Sequence, residues 1–289
     1  MINISSNNFI QKYNTYETNE VLTWCSGCGN YGIQNALKRA LVLEEIETKD
    51  VLMCFDVGCN GNGSDKIGTY TIHGLHGRVL PLAMGAKIGN PKLTVIASAG
   101  DGATFSEGIN HLIHAIRNNI PMLFILHDNQ NYGLTTGQAS STTPKGCKMN
   151  TSPEGVSIDP IKPLAVILPH SPAFVAQTIS SDTEHMTAIF RAALKVQGFA
   201  YIHVFQACPT YNKLSAQDGT QFVEDVSLSS NYDVFDMQKV RNFLQNAQKA
   251  PIGILYKNRE KKSFFHTLKI EHPRNLTSEI KHYTIKNLY

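Results

Sequence analysis

The chain has 289 residues, 42% of them hydrophobic and 17% charged, enough to bury a large core in one or two domains. A formal charge of +3 without any basic run argues against a nucleic-acid surface. No stretch approaches the roughly 20 apolar residues of a membrane helix, and "MINISSNNFIQKYNTYETNE" has no apolar signal core, so a cytoplasmic protein is expected.

In chain order, "TWCSGCGNYG" (Thr23 to Gly32) comes first, with two cysteines, three glycines and the single tryptophan. In a cytoplasmic chain the six cysteines point to thiols, metal ligands or redox centres rather than structural disulfides. Ile33, Ala36, Leu37, Ala40 and Leu41 recur at helical spacing and predict a helix over 30–43. "VLMCFDVG" (51–58) predicts a buried strand. "TIHGLHGR", with His73, His76 and Arg78, precedes a helix-like stretch. Strands follow at 92–100 and 121–129, flanking a helix over 106–118. A helix over 184–197 leads to a strand at 199–207. Apolar strands alternating with helices imply an α/β fold, a parallel sheet with helices on both faces. In such sheets ligands lie beyond the carboxyl ends of strands. Gly58-Cys59, Gly100-Asp101-Gly102, Asp128-Asn129 and Cys208-Pro209 all follow strands, so one site could collect them. From about Tyr211 the chain turns polar and irregular. Residues 1–210 are therefore expected to form the α/β domain, and 211–289 a C-terminal tail packing on it or on a partner.

The stretch from Gly100 to Gln138 carries the clearest chemistry. Glycines at a strand end let backbone amides approach a phosphate, and the following helix N-terminus favours the anion. Asp101 beside that phosphate suits Mg²⁺, which prefers hard oxygens. Asn129, 28 residues further on, and the Asn131 carbonyl could complete the shell. Taken singly, "GDG" reads as a tight turn and "DNQN" as a polar loop. Together, at strand ends and at this spacing, they resemble the thiamine diphosphate signature.

"WCSGCGNYG", "IHGLHGRVLPLAMGAKIGNP", "DNQNYGLTTGQ", "CPTYNKL" and "PIGILYKN" follow one another in an order that resembles the beta subunits of 2-oxoacid:ferredoxin oxidoreductases, nearest the 2-oxoglutarate branch. The resemblance spans about residues 20 to 260. It implies an enzyme with an alpha subunit that oxidatively decarboxylates a 2-oxoacid to acyl-CoA. Electrons would pass through a 4Fe–4S cluster to ferredoxin. It implies cluster ligands at Cys25, Cys28, Cys59 and Cys208, and cofactor contacts at Val57, Gly58, Cys59, Asn60, His73, His76, Gly100, Asp101, Gly102, Ala103, Asn129, Gly133 and Leu134. His73 is the expected proton-transferring histidine and Lys66 the expected contact for the substrate's distal acid.

The chain departs from the family twice. Lys66 follows Cys59 by seven residues, through a loop four longer than in relatives, and Thr136 stands where many relatives have lysine. No glutamate lies in a motif that would activate thiamine, so the family implies that the alpha subunit supplies it and that this chain alone is inactive. Four cysteines also suit structural zinc. Two other readings stay open: a non-oxidative thiamine diphosphate-dependent decarboxylase or synthase subunit, and a zinc-stabilised binding module. Pyruvate or branched-chain 2-oxoacid specificity is open too. Cys54 reads as a packing thiol, Cys147 as a thiol without a role, and His127 as a satisfied core residue.

Overall fold

The computed structural model describes residues 6–212, 219–229, 232–270 and 276. After α1 (Ser6–Asn14), the "CGNYG" stretch opens α2 (Gly29–Leu43). The first half of the sheet follows as β1 (Val51–Phe55), β2 (Tyr70–His73), α3 (Val79–Gly89), β3 (Thr94–Gly100), α4 (Ile109–Asn118) and β4 (Met122–Asp128). A long loop containing the short α5 (Pro163–Ile167) leads to β5 (Phe174–Ile179), α6 (Thr183–Leu194) and β6 (Phe199–Phe205). Then come β7 (Val223–Asp225), α7 (Met237–Asn246), β8 (Ala250–Lys257) and α8 (Phe264–Thr267).

The eight strands form one sheet in the order β2-β1-β3-β4-β6-β5-β8-β7. Strands β1 to β6 are parallel, and β8 runs antiparallel against β5. Every residue of β1, β4 and β5 is buried, as expected for strands covered on both faces. Alternation along β1 feeds two cores. Leu52 and Cys54 pack with α3 and α4, while Val51, Met53 and Phe55 pack with α2 and α6. Cys54 is thus a core side chain, fully buried, and burial alone pushes its thiol up to about 12.

Two expectations change. The stretch after Asp101 does not enter an α-helix directly, because Ala103–Glu107 forms a π-helical turn before α4. Such wide turns are often found at functional sites. The polar C-terminal stretch is not irregular over its described part. It builds β7, α7 and β8, and β8 joins the sheet through β5. Its polarity is real, but α7 needs only one apolar stripe, and Val240 with Leu255 and Tyr256 of β8 enters the α3–α4 core. The remainder of the expected tail, 213–218, 230–231, 271–275 and 277–289, lies outside the described residues. Among the described residues no helix is long and apolar enough to cross a membrane.

If β8 is a sheet strand, Leu255→Ala, at a fully buried site, should cost about 2–5 kcal/mol. The denaturant midpoint of the purified chain checks this; a loosely attached tail would show no change.

Candidate cofactor and thiol site

The carboxyl ends of β1, β3 and β4 enclose a cavity of about 190 Å³. Val57, Gly58, Cys59 and Asn60 line it from the end of β1, and His76 from the loop after β2. Gly100, Asp101, Gly102 and Ala103 come from the end of β3, and Asn129, Asn131, Tyr132, Gly133 and Leu134 from the end of β4. His127 and Gln206 complete the inner wall. Every residue expected to contact a cofactor is there except His73.

His73 ends the edge strand β2 and is exposed. Its ring covers Gly61, where a Cβ would come 2.7 Å from Nε2. His76, three residues on, takes the cavity position, facing the Tyr132 ring at 6.0 Å and the Glu107 carboxylate at 3.9 Å. Lys66 is 7% exposed, but its ammonium is bound to Asp65 at 2.8 Å and does not line the cavity. The Arg78 guanidinium donates to the carbonyls of Gly77 and Glu107, not to a carboxylate.

Close backbone approach shapes the cradle. A Cβ on Gly102 would clash with the Tyr132 ring. Gly77, at φ +69, lies in the left-handed region that favours glycine. Its N–H donates to Asp56 at 3.0 Å. Asp56, fully buried, also accepts from the N–H groups of Val57 (2.8 Å) and Val79 (3.3 Å). Burial raises its pKa, and those donors pull it back. Asp56 thereby ties the cavity loop to the start of α3. Sequence reading missed this role, because the three donors are scattered along the chain; an aspartate at a strand end beside Gly-Cys was the available signal.

Asp101 is 1% exposed and accepts from the hydroxyls of Ser140 and Thr142, the latter at 2.8 Å. Thr142 also reaches Asp128 at 2.8 Å, and Asp128 accepts from His203 at 2.8 Å. Desolvation, then the nearby Asp128 charge, pushes Asp101 up to about 8. Beside it, Asn131 donates its side-chain N–H to the Asn129 carbonyl at 2.7 Å and its backbone N–H to Asn129 Oδ1 at 3.1 Å. Asn131 Oδ1 is buried without a partner. A desolvated carboxyl group beside an orphaned amide oxygen fits a hard divalent cation.

The thiols collect next door. Cys28 closes a turn onto the Cys25 carbonyl at 3.0 Å and precedes α2. Gly29 follows because a Cβ there would strike Ser180 and Gln206. Cys59 lies in the cavity wall, with Sγ 3.1 Å from where a Cβ on Gly133 would stand. Burial, then the charges of Cys28, Cys208 and Cys25, pushes the Cys59 thiol up to about 12. The four sulfurs therefore share one electrostatic neighbourhood. Yet among the described residues no three His, Cys, Asp or Glu groups converge as ligands of one ion. Four thiol groups are nonetheless the donor set that a 4Fe–4S cluster takes.

The loop after Cys59 packs against the first cysteine pair. Gly61–Gly63 forms a 3₁₀ turn on which Gly63 meets the Trp24 ring. Trp24 Nε1 donates to the Cys59 carbonyl at 2.6 Å, so this loop clasps Cys59 to the Cys25–Cys28 segment.

Residues 56–204 match the family model of the C-terminal TPP-binding domain of thiamine pyrophosphate enzymes, and 208–271 match that of the C-terminal part of the pyruvate ferredoxin oxidoreductase beta chain. The chain is 35% identical over 266 residues to the 2-oxoacid:ferredoxin oxidoreductase subunit beta of a Sulfolobus species, covering 88% of this chain and 87% of the relative. The Saccharolobus solfataricus subunit beta is 34% identical over 81% of each chain. In structure it resembles a 2-oxoglutarate:ferredoxin oxidoreductase from Magnetococcus marinus, solved with 2-oxoglutarate, coenzyme A and succinyl-CoA bound. That match has a TM-score of 0.86 at 30% identity and covers 100% of this chain and 96% of the other. The chain belongs to the beta subunits of 2-oxoacid:ferredoxin oxidoreductases, an enzyme family of oxidative decarboxylation built on the thiamine diphosphate-binding fold.

Proposed function

We propose that this subunit holds thiamine diphosphate, Mg²⁺ and a 4Fe–4S cluster, and works with an alpha subunit to oxidise 2-oxoglutarate. The balanced reaction takes 2-oxoacid, coenzyme A and two oxidised ferredoxins to acyl-CoA, CO₂, a proton and two reduced ferredoxins. One observation carries the reading: Cys59 belongs both to the cavity wall and to the group of four thiols. Bound thiamine diphosphate supplies a nucleophilic carbon and an electron sink, and the cluster a one-electron outlet.

The chain's own residues divide the remaining work. Asp101, Asn129 and Asn131 would hold Mg²⁺ against the diphosphate, and the amides of the Gly100–Ala103 turn would face its oxygens. Cys25, Cys28, Cys59 and Cys208 would hold the cluster. His76, rather than His73, is the histidine we assign to the cofactor. Lys66 would meet a substrate carboxylate only by releasing Asp65. The activating glutamate is assigned to the alpha subunit. Exposed Val57, Leu75 and Leu134 near the cavity form the apolar surface such a partner would cover.

Iron, sulfide and thiamine content of the anaerobically purified protein tests the whole reading; zinc in place of iron would overturn its oxidative half. Asp101→Ala should weaken Mg²⁺–thiamine diphosphate binding by more than about tenfold, the scale seen even for outer-shell partners of metals. Calorimetry at limiting Mg²⁺ measures it.

The raised pKa of Asp101 also predicts a pH dependence. The native carboxyl keeps its proton to about 8, whereas the unfolded one loses it near 4. The native state thus binds more protons across that window, and stability contributed by this group is lost as pH rises through it. Melting of the metal-free chain should fall from pH 5 to pH 8, and Asp101→Asn should flatten that slope.

Serine at Cys25, Cys28, Cys59 or Cys208 should remove the cluster's absorbance and most of its iron. Serine at Cys54 or Cys147 should leave both intact. Iron retained by Cys28→Ser but lost from Cys54→Ser would show the wrong thiols were chosen.

A further inference from the structure

Three buried polar side chains that the proposed reaction leaves without a role form one hydrogen-bonded group beside the Cys28 sulfur. Gln206, 2% exposed, donates from Nε2 to Cys28 Sγ at 3.8 Å. Its carbonyl oxygen lies 2.9 Å from His127 Nδ1. Asn30, 1% exposed and two residues past Cys28, places its own Oδ1 3.0 Å from the same nitrogen. Both neighbours of Nδ1 are carbonyl oxygens, so Nδ1 carries the proton and donates to them. His127 Nε2 then accepts from the Ser98 hydroxyl at 2.9 Å, and Ser98 accepts from Asn60 of the cavity wall at 3.3 Å. Complete burial pushes His127 down to about 4, so this neutral arrangement holds across physiological pH.

With both amide oxygens fixed on His127, both amide nitrogens are free for another acceptor. That of Gln206 reaches Cys28. That of Asn30 is buried and has no hydrogen-bond partner. The Asn30 backbone N–H and side chain also draw the Cys28 thiol down, against a larger upward push from burial.

We propose that Asn30 and Gln206, oriented by His127, form an amide clamp on the Cys28 sulfur that sets the potential of the cluster bound there. The proposal rests on Cys28 being a cluster ligand. Reduction gives the cluster one electron and no proton, so the added negative charge spreads onto its sulfurs. N–H donors aimed at a ligand sulfur stabilise the reduced form and raise the potential. Since His127 and Gln206 also line the cofactor cavity, the tuned ligand is hydrogen-bonded to the wall from which electrons arrive. The three are positioning residues, not catalytic ones.

The test is an EPR-monitored redox titration of the assembled complex with the alpha subunit, alongside iron analysis. Gln206→Met and Asn30→Ser should keep iron but lower the potential. A tenfold loss of reduced cluster at a fixed poise would correspond to about 59 mV for one electron. Gln206→Glu keeps the side-chain shape without an N–H donor and should shift it the same way. His127→Phe, which frees both amides to turn, should give a smaller shift of that sign. Absence of iron from the wild type would overturn the cluster reading itself. Iron present with an unchanged or raised potential in Gln206→Met, Gln206→Glu and Asn30→Ser would overturn the clamp. Loss of iron from these variants at unchanged melting temperature would overturn it too, because a tuning contact is not needed to assemble the cluster.

Discussion

A parallel sheet covered on both faces leaves its polar chemistry one outlet, and this chain places an aspartate at that outlet on three neighbouring strands. Asp56 follows β1, Asp101 follows β3, and Asp128 ends β4. All three are buried. Water cannot solvate them, so each must be met by protein donors or by a cation. Asp56 is met by three backbone N–H groups and in return fixes the loop that carries Cys59. Asp128 is met by His203 and Thr142. Asp101 is left with two hydroxyls, one of them shared with Asp128. That difference in solvation separates a structural carboxylate from one suited to a metal.

The α/β alternation was legible because the apolar runs and helical periods are long and local. Gly100–Asp101–Gly102 and Asn129 were legible because strand-end position and spacing carry the information. The sequence ranked His73 ahead of His76, whereas the cavity is lined by His76. β2 is a four-residue edge strand, and only its pairing with β1, Phe55 opposite His73, sends His73 to the rim and leaves the following turn to bring His76 inward. Helix α7 and strand β8 were hidden for another reason. Their surroundings are polar, and the partner of β8 is β5, about 75 residues away in sequence. Asp56 escaped notice because two of its three partners, Gly77 and Val79, become neighbours only on folding.

The loop after Cys59 folds into one 3₁₀ turn, and Cys59 sits between the cavity and the other thiols. Lys66, further along this loop, is buried with its ammonium against Asp65, away from the cavity lining. Thr136, next to the cavity-lining Thr135, has φ +78.

The Trp24 clasp has a spectroscopic consequence. The chain contains one tryptophan, the residue just before Cys25, and its indole is hydrogen-bonded to the Cys59 carbonyl and packed on Gly63. Ultraviolet emission excited in the indole band therefore originates at the joint between the two thiol-bearing loops. An iron–sulfur chromophore beside it would absorb that light by energy transfer, and loosening of either loop would change the polarity around the ring. The protein thus carries an optical probe at the seam where its redox centre would be assembled, readable without any label.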